Sequence, residues 1–214
     1  MAKTVLCFGD SNTHGTKAMR AIGERGRFDK DVRWTGVMGA NLPDDFTIIE
    51  EGLPGRTTVF DDPIEGAHKN GMRTLRALLE SHREIDLVII MLGTNDLKHR
   101  FSVTASDIAT GAEKLVIEAR NALVGPDGTT SQILLVAPVP VAEVGVLADM
   151  FLGGAEKSGA LGAKMAIVAE RQQTGFLDLA DVAQVDMTDG IHLDADAHAA
   201  IGAAMAKAVL RTLP

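Results

Sequence analysis

The chain has 214 residues, enough for one ordinary domain with a full hydrophobic core. Its 46% hydrophobic and 23% charged content match a soluble globular protein. With 21 Lys and Arg against 29 Asp and Glu, the net charge of −8 argues against non-specific binding to nucleic acid or to an anionic membrane surface.

The first apolar run, Thr4–Phe8, reads as a strand and is too short for a signal peptide. It contains Cys7, the single cysteine, which excludes an intrachain disulfide and reads as a small buried hydrophobe. A cytoplasmic location is therefore expected. Further strands are predicted at Phe46–Ile49, Asp86–Leu92, Gln132–Ala137 and Gly175–Leu179. Three of the five are nearly unbroken apolar runs (VLCF, LVIIML and ILLVA), as strands buried on both faces require.

Helical patterns lie between the strands. Ile108, Ala112, Leu115, Val116, Ala119 and Leu123 have the spacing of one buried helix face. Thr104 and Asp107 resemble a capping box at its start. Gly125-Pro126-Asp127-Gly128 marks a turn before the fourth strand. The last helix is expected to begin near Asp194 and to carry Ile201, Met205, Val209 and Leu213 inward. Alternating strands and helices with short connections predict a single domain over residues 1–214, a three-layer α/β/α sandwich on a flavodoxin-like parallel sheet.

In such a sheet ligands bind beyond the carboxyl ends of the strands. The segments there are Gly9–Gly15, Glu51–Thr57, Gly93–Asp96 and Asp186–His192, all small, polar and Gly-rich. Together they hold a hydroxyl, an imidazole, carboxylates, a carboxamide and backbone N–H donors, which is the inventory of acyl transfer. A serine hydroxyl needs a histidine to take its proton, the histidine needs a group to fix its tautomer, and the oxyanion needs preplaced donors.

GDS at 9–11, Gly55 within GLPGRT, GTND at 93–96 and DGIH at 189–192 resemble, in order, the four sequence blocks of the GDSL/SGNH hydrolases. DVRWTG at 31–36, EEGLPGRTT at 50–58 and VIIMLGTNDLK at 88–98 are similar to a bacterial arylesterase branch, some of whose members transfer acyl groups to alcohols or peroxide. The resemblance implies Ser11 as nucleophile, His192 as general base and then acid, and Asp189 as the group that orients it. It implies an oxyanion hole made of the Ser11 and Gly55 N–H groups and the Asn95 carboxamide, with no metal or organic cofactor. It also implies a small-molecule ester substrate and self-association into a homo-oligomer. Asn12 stands where the GDSL signature has Leu, and His14 stands where some acyl-transferring relatives have an aromatic ring.

Taken singly, these residues have plainer readings. Ser11 would cap a helix, Asn95-Asp96 would form a turn, Gly52 would be a turn residue, and Asp10 would be a structural hydrogen-bonding group. His68, His82 and His198 are expected on solvated helix faces. Asn12, His14 and His99 are candidate pocket residues. So are Val139, Val141, Met150 and Phe151 in the Pro-containing segment after the fourth strand, which equally fits ordinary loop packing. Gly9 to Lys17 lacks the spacing of a phosphate loop, Asp194 to His198 lacks the glycine and glutamate of a calcium loop, and no dinucleotide fingerprint follows the first strand. The expected activity is hydrolysis of small or aryl carboxylic esters through an acyl-enzyme. A carbohydrate or lysophospholipid deacylase on the same scaffold is the alternative, and a non-catalytic flavodoxin-like binding module is a third.

Overall fold

The apolar runs form the middle of one parallel sheet in the computed structural model, which describes residues 2–213. In chain order the elements are β1 (Lys3–Gly9), the single turn α1 (Ser11–His14), α2 (Trp34–Ala40), β2 (Phe46–Gly52), α3 (Gly71–Ser81) and β3 (Leu87–Met91). They continue with α4 (Ala105–Asn121), β4 (Gln132–Ala137), α5 (Gly154–Gln172), β5 (Gly175–Asp178) and α6 (Ala195–Thr212). The strand order is β2-β1-β3-β4-β5, all parallel. β1 has β2 on one side and β3 on the other. The chain therefore leaves the ends of β1 and β3 in opposite directions, opening a crevice there.

Side chains alternate between two cores. Leu6, Phe8, Val88, Ile90, Ile133 and Leu135 pack against α3, α4 and α5. Val5, Cys7, Leu87, Ile89, Leu134 and Val136 pack against α2 and α6. Burying each large apolar side chain contributes roughly 1.5–3 kcal/mol, which favours this register over a one-residue slip. Among the described residues, no helix is long and apolar enough to cross a membrane.

Thr104 caps α4 through a full capping box. Its hydroxyl accepts the Asp107 N–H at 3.2 Å, and the Asp107 carboxylate accepts the Thr104 N–H at 2.8 Å. Asp194 caps α6, whose Ile201, Met205 and Val209 are buried. Leu123 does not belong to the buried face of α4. It lies beyond the helix end at φ 50° and is 54% exposed, because the chain turns there toward β4.

His198 is not solvated either: it is fully buried in α6, and its Nδ1 accepts the Trp34 N–H at 3.2 Å. His68 is exposed in a short 3₁₀ turn. His82, half-buried at the end of α3, meets Glu51 at 2.8 Å. Gly52 closes β2 instead of forming a turn. A Cβ there would lie 2.3 Å from the His14 backbone nitrogen, so only glycine lets α1 sit against the strand end.

Candidate active site

Ser11 begins α1 directly after β1. Asp10 caps that turn, its Oδ1 accepting the Asn12 N–H at 2.9 Å, and Gly15 ends it in the left-handed conformation at φ 82°. Gly9 has no room for a side chain, since Thr13 Oγ1 would lie 2.0 Å from an added Cβ. The sharp strand-to-helix transition that sets Ser11 at the sheet edge thus depends on the residues around it.

The loop before α6 brings His192 to the same edge. Asp189 Oδ1 accepts the N–H groups of Ile191 and His192, each at 3.0 Å. Its Oδ2 accepts from the Met19 N–H at 2.8 Å and lies 2.6 Å from His192 Nδ1. Burial alone would raise this carboxyl. The His192 ring and these backbone donors outweigh it and hold the pKa at about 2, so Asp189 is a carboxylate at neutral pH. With Nδ1–H donating to that carboxylate, the neutral ring keeps Nε2 as a proton acceptor. Asp186 has a different part, accepting the Thr188 N–H at 2.8 Å within the loop. Asn12 ties the loop to α1 by donating from Nδ2 to the Ile191 carbonyl at 3.1 Å.

Gly55 and Asn95 come from the segments after β2 and β3. Gly55 adopts φ 82°, and Arg56 beside it is buried, donating to the Gly9 carbonyl at 2.8 Å and lying over the Phe8 ring at 4.1 Å. Asn95 donates from Nδ2 to Asp10 Oδ2 at 3.4 Å. Asp96 fastens one segment to the other by accepting the Thr58 N–H at 3.0 Å and the Thr58 hydroxyl at 2.5 Å. Burial lifts its pKa to about 6 against the pull of those donors.

Ser11, Gly55, Asn95 and His192 all line one cavity of about 700 Å³, within the usual range for a small-molecule site. Of the predicted pocket residues, His14, Met150 and Phe151 also line it. Asn12 lies behind Ser11, Val139 and Val141 sit in the two cores, and the exposed His99 meets the Leu152 carbonyl at 3.1 Å; none of these four lines the cavity. Burial and the charges of Arg27 and Arg33 lower the pKa of His14, keeping it neutral.

Sequence reasoning missed much of the lining. Met19, Leu147 and Ile191 extend an apolar wall, while Glu24, Arg25, Arg27, Glu65, Lys69 and Lys98 form a charged one. These residues sit in irregular loops, where no periodicity marks them. Leu147 in the apolar segment after β4, Ile191 in DGIH and Lys98 at the end of VIIMLGTNDLK lay in stretches the sequence singled out, but nothing marked them as lining residues. Among the described residues, no group of three or more His, Cys, Asp or Glu is placed to hold a metal ion.

Several solved structures share this architecture. A carbohydrate acetylesterase from Sinorhizobium meliloti is 41% identical with a TM-score of 0.94, the match covering 98% of this chain and 99% of that one. The aryl esterase of M. smegmatis is 39% identical, also at 0.94, over 99% of this chain and 100% of that one. A lipolytic G-D-S-L protein from Veillonella parvula is 12% identical at 0.66 over 98% and 97% of the two chains, and shows the fold alone. No match was found among curated proteins. The model of the GDSL-like lipase/acylhydrolase family matches residues 7–200, running from β1 into α6, and the chain belongs to that family.

Proposed function

We propose that the protein hydrolyses small or aryl carboxylic esters through a Ser11 acyl-enzyme, with His192 and Asp189 completing a catalytic triad. The observation that carries this reading is the 2.6 Å contact of His192 Nδ1 with a buried carboxylate, in a ring that shares its cavity with Ser11. Ser11 Oγ bonds to the acyl carbon while its proton passes to His192 Nε2, and Asp189 balances the imidazolium. The oxyanion is held by the N–H groups of Ser11 and Gly55 and by the Asn95 carboxamide. The tetrahedral intermediate then breaks its bond to the leaving oxygen, which takes the proton from His192. Water, giving a proton to His192, then adds to the acyl carbon; the bond to Ser11 Oγ breaks, Oγ takes that proton back from His192, and the acid leaves.

The same acyl-enzyme passes its acyl group to an alcohol or a peroxide when either replaces water. The apolar wall of Met19, Leu147, Met150, Phe151 and Ile191 suits the acyl group. The charged wall favours a polar alcohol part, which keeps sugar esters as a second reading, in line with the acetylesterase from Sinorhizobium meliloti. Nitrophenyl acetate and acetylated sugars, assayed side by side over an acyl-length series, distinguish the two. Ser11→Ala should lower kcat on either substrate by about 10⁴ to 10⁶ while the fold persists. A folded Ser11→Ala protein with a tenth of the wild-type rate would contradict the reading.

A further inference from the structure

We infer that this site prefers esters carrying an anionic group, a carboxylate foremost, seated against Lys69 on the charged wall; the inference rests on the esterase reading above. The chain as a whole is acidic at −8, so an excess of cations around one cavity is a local feature. Part of the charged wall is internally balanced. Glu65 accepts from Lys98 and, at 3.2 Å, from Arg100, while Asp62 lies 3.6 Å from Lys98 and 3.7 Å from Arg100. Those two cations and two carboxylates compensate one another.

Lys69 feels the carboxylates of Glu65 and Asp62 as well as the opposing charges of Lys98 and Arg56, but forms no contact pair with either carboxylate. Its Nζ donates to the Pro54 carbonyl at 2.7 Å, which fixes the side chain, and among the described residues it makes no ion pair. An ammonium has three donors, so two remain for a ligand. Its stem runs beside Gly55, where an added Cβ would lie 3.4 Å from Cδ and Cε and 2.3 Å from Glu65 Oε2, so both its charge and the Glu65 carboxylate, which Lys98 and Arg100 already hold, lie close to the proposed oxyanion donors. The ammonium is half-buried, and burial works against its charge, lowering the pKa despite the pull of Glu65. An arriving anion relieves that cost.

Arg27 is held on the same cavity by donating from Nε to the His14 carbonyl at 2.7 Å, and Arg25 lies beside it. Against these cations stands Glu24, whose carboxylate accepts the Arg20 N–H at 2.7 Å. With the apolar wall occupied by a short acyl group, the charged wall is left to the alcohol part. An alcohol part bearing a carboxylate matches its excess positive charge, whereas a neutral one leaves Lys69 desolvated and unpaired.

The test compares kcat/KM for 4-acetoxybenzoate with that for its neutral methyl ester, in wild type, Lys69→Met and Lys69→Arg. Comparing the anion-to-neutral ratio between wild type and variants cancels the difference in intrinsic reactivity between the two esters. The ratio should fall by about tenfold in Lys69→Met, stay within about twofold of wild type in Lys69→Arg, and decline in wild type as salt is raised. An unchanged ratio in Lys69→Met overturns the inference. So does an equal slowing of both esters, which would assign Lys69 to the reacting centre. If wild type hydrolyses neither compound, the esterase reading fails, and calorimetry with 4-hydroxybenzoate decides the anion site independently. A Kd weakened about tenfold by Lys69→Met supports the site, and an unchanged Kd overturns it.

Discussion

At Asp10 one buried carboxylate faces two parts of the site. Its Oδ1 caps the turn that presents Ser11, and its Oδ2 accepts from Asn95 at 3.4 Å. Replacing Asp10 with Asn keeps the capping oxygen but sets an NH₂ group against the NH₂ of Asn95, two donors with no acceptor between them. On the proposed mechanism Asn95→Ala removes one oxyanion donor and should lower kcat by about 10² to 10³ with a smaller change in KM. Asp10→Asn should lower kcat in the same pattern, and the double variant should lose less than the product of the two effects, because both act through one carboxamide. Steady-state kinetics on the three variants checks this, and losses confined to KM would assign Asn95 to ground-state binding. The residues of the four sequence blocks were legible because they occur in a fixed order, three of them just after β1, β2 and β3 and the fourth in the loop before α6. Lys69, Arg27 and Glu65 were not, because single charged residues in loops read as solvated surface until the fold places them around a cavity.

At the level of elements, the parallel sheet was readable from its apolar runs. The predicted strand at Gln132–Ala137 coincides with β4, and β1 and β2 run past their predicted ends by one and three residues toward the site. Those extra residues, Gly9 and the Glu50-Glu51-Gly52 stretch, are polar or small, so hydropathy gave no sign of them. They remain strand because each pairs with its neighbour, Gly9 with Gly52 and Phe8 with Glu51. Leu123 shows the opposite failure, since helical spacing cannot tell that a chain has already left its helix. His198 matches helical spacing on the buried side of α6, three residues before Ile201 and seven before Met205. Its polar character concealed that placement until Trp34 and Phe28 supplied its surroundings.

Across the whole molecule, His198 couples folding to pH. Burial first, then the charges of Arg33 and His192, hold its pKa at about 4, below the 6.5 of a free imidazole. The unfolded chain therefore takes up a proton that the folded chain refuses between these values. Stability fully present above pH 6.5 is lost as pH falls toward 4. Asp96, raised from 3.8 to about 6, has the opposite slope over much of that window, since there the folded chain binds the proton first. His198→Asn keeps an acceptor for the Trp34 N–H and removes the titration. Urea unfolding at pH 7 and pH 4.5 should show wild type losing on the order of 2 kcal/mol relative to that variant, the Asp96 contribution cancelling between them. A gap that does not change with pH would contradict this. In the proposed mechanism Ser11 is the nucleophile, activated by a histidine that Asp189 orients. The most direct measurement of this is the intact mass and peptide map of the protein after treatment with a fluorophosphonate. A single adduct is expected on the peptide carrying Ser11, abolished in Ser11→Ala and formed far more slowly in His192→Ala; an unlabelled wild-type protein, or an adduct on any other residue, would contradict the triad.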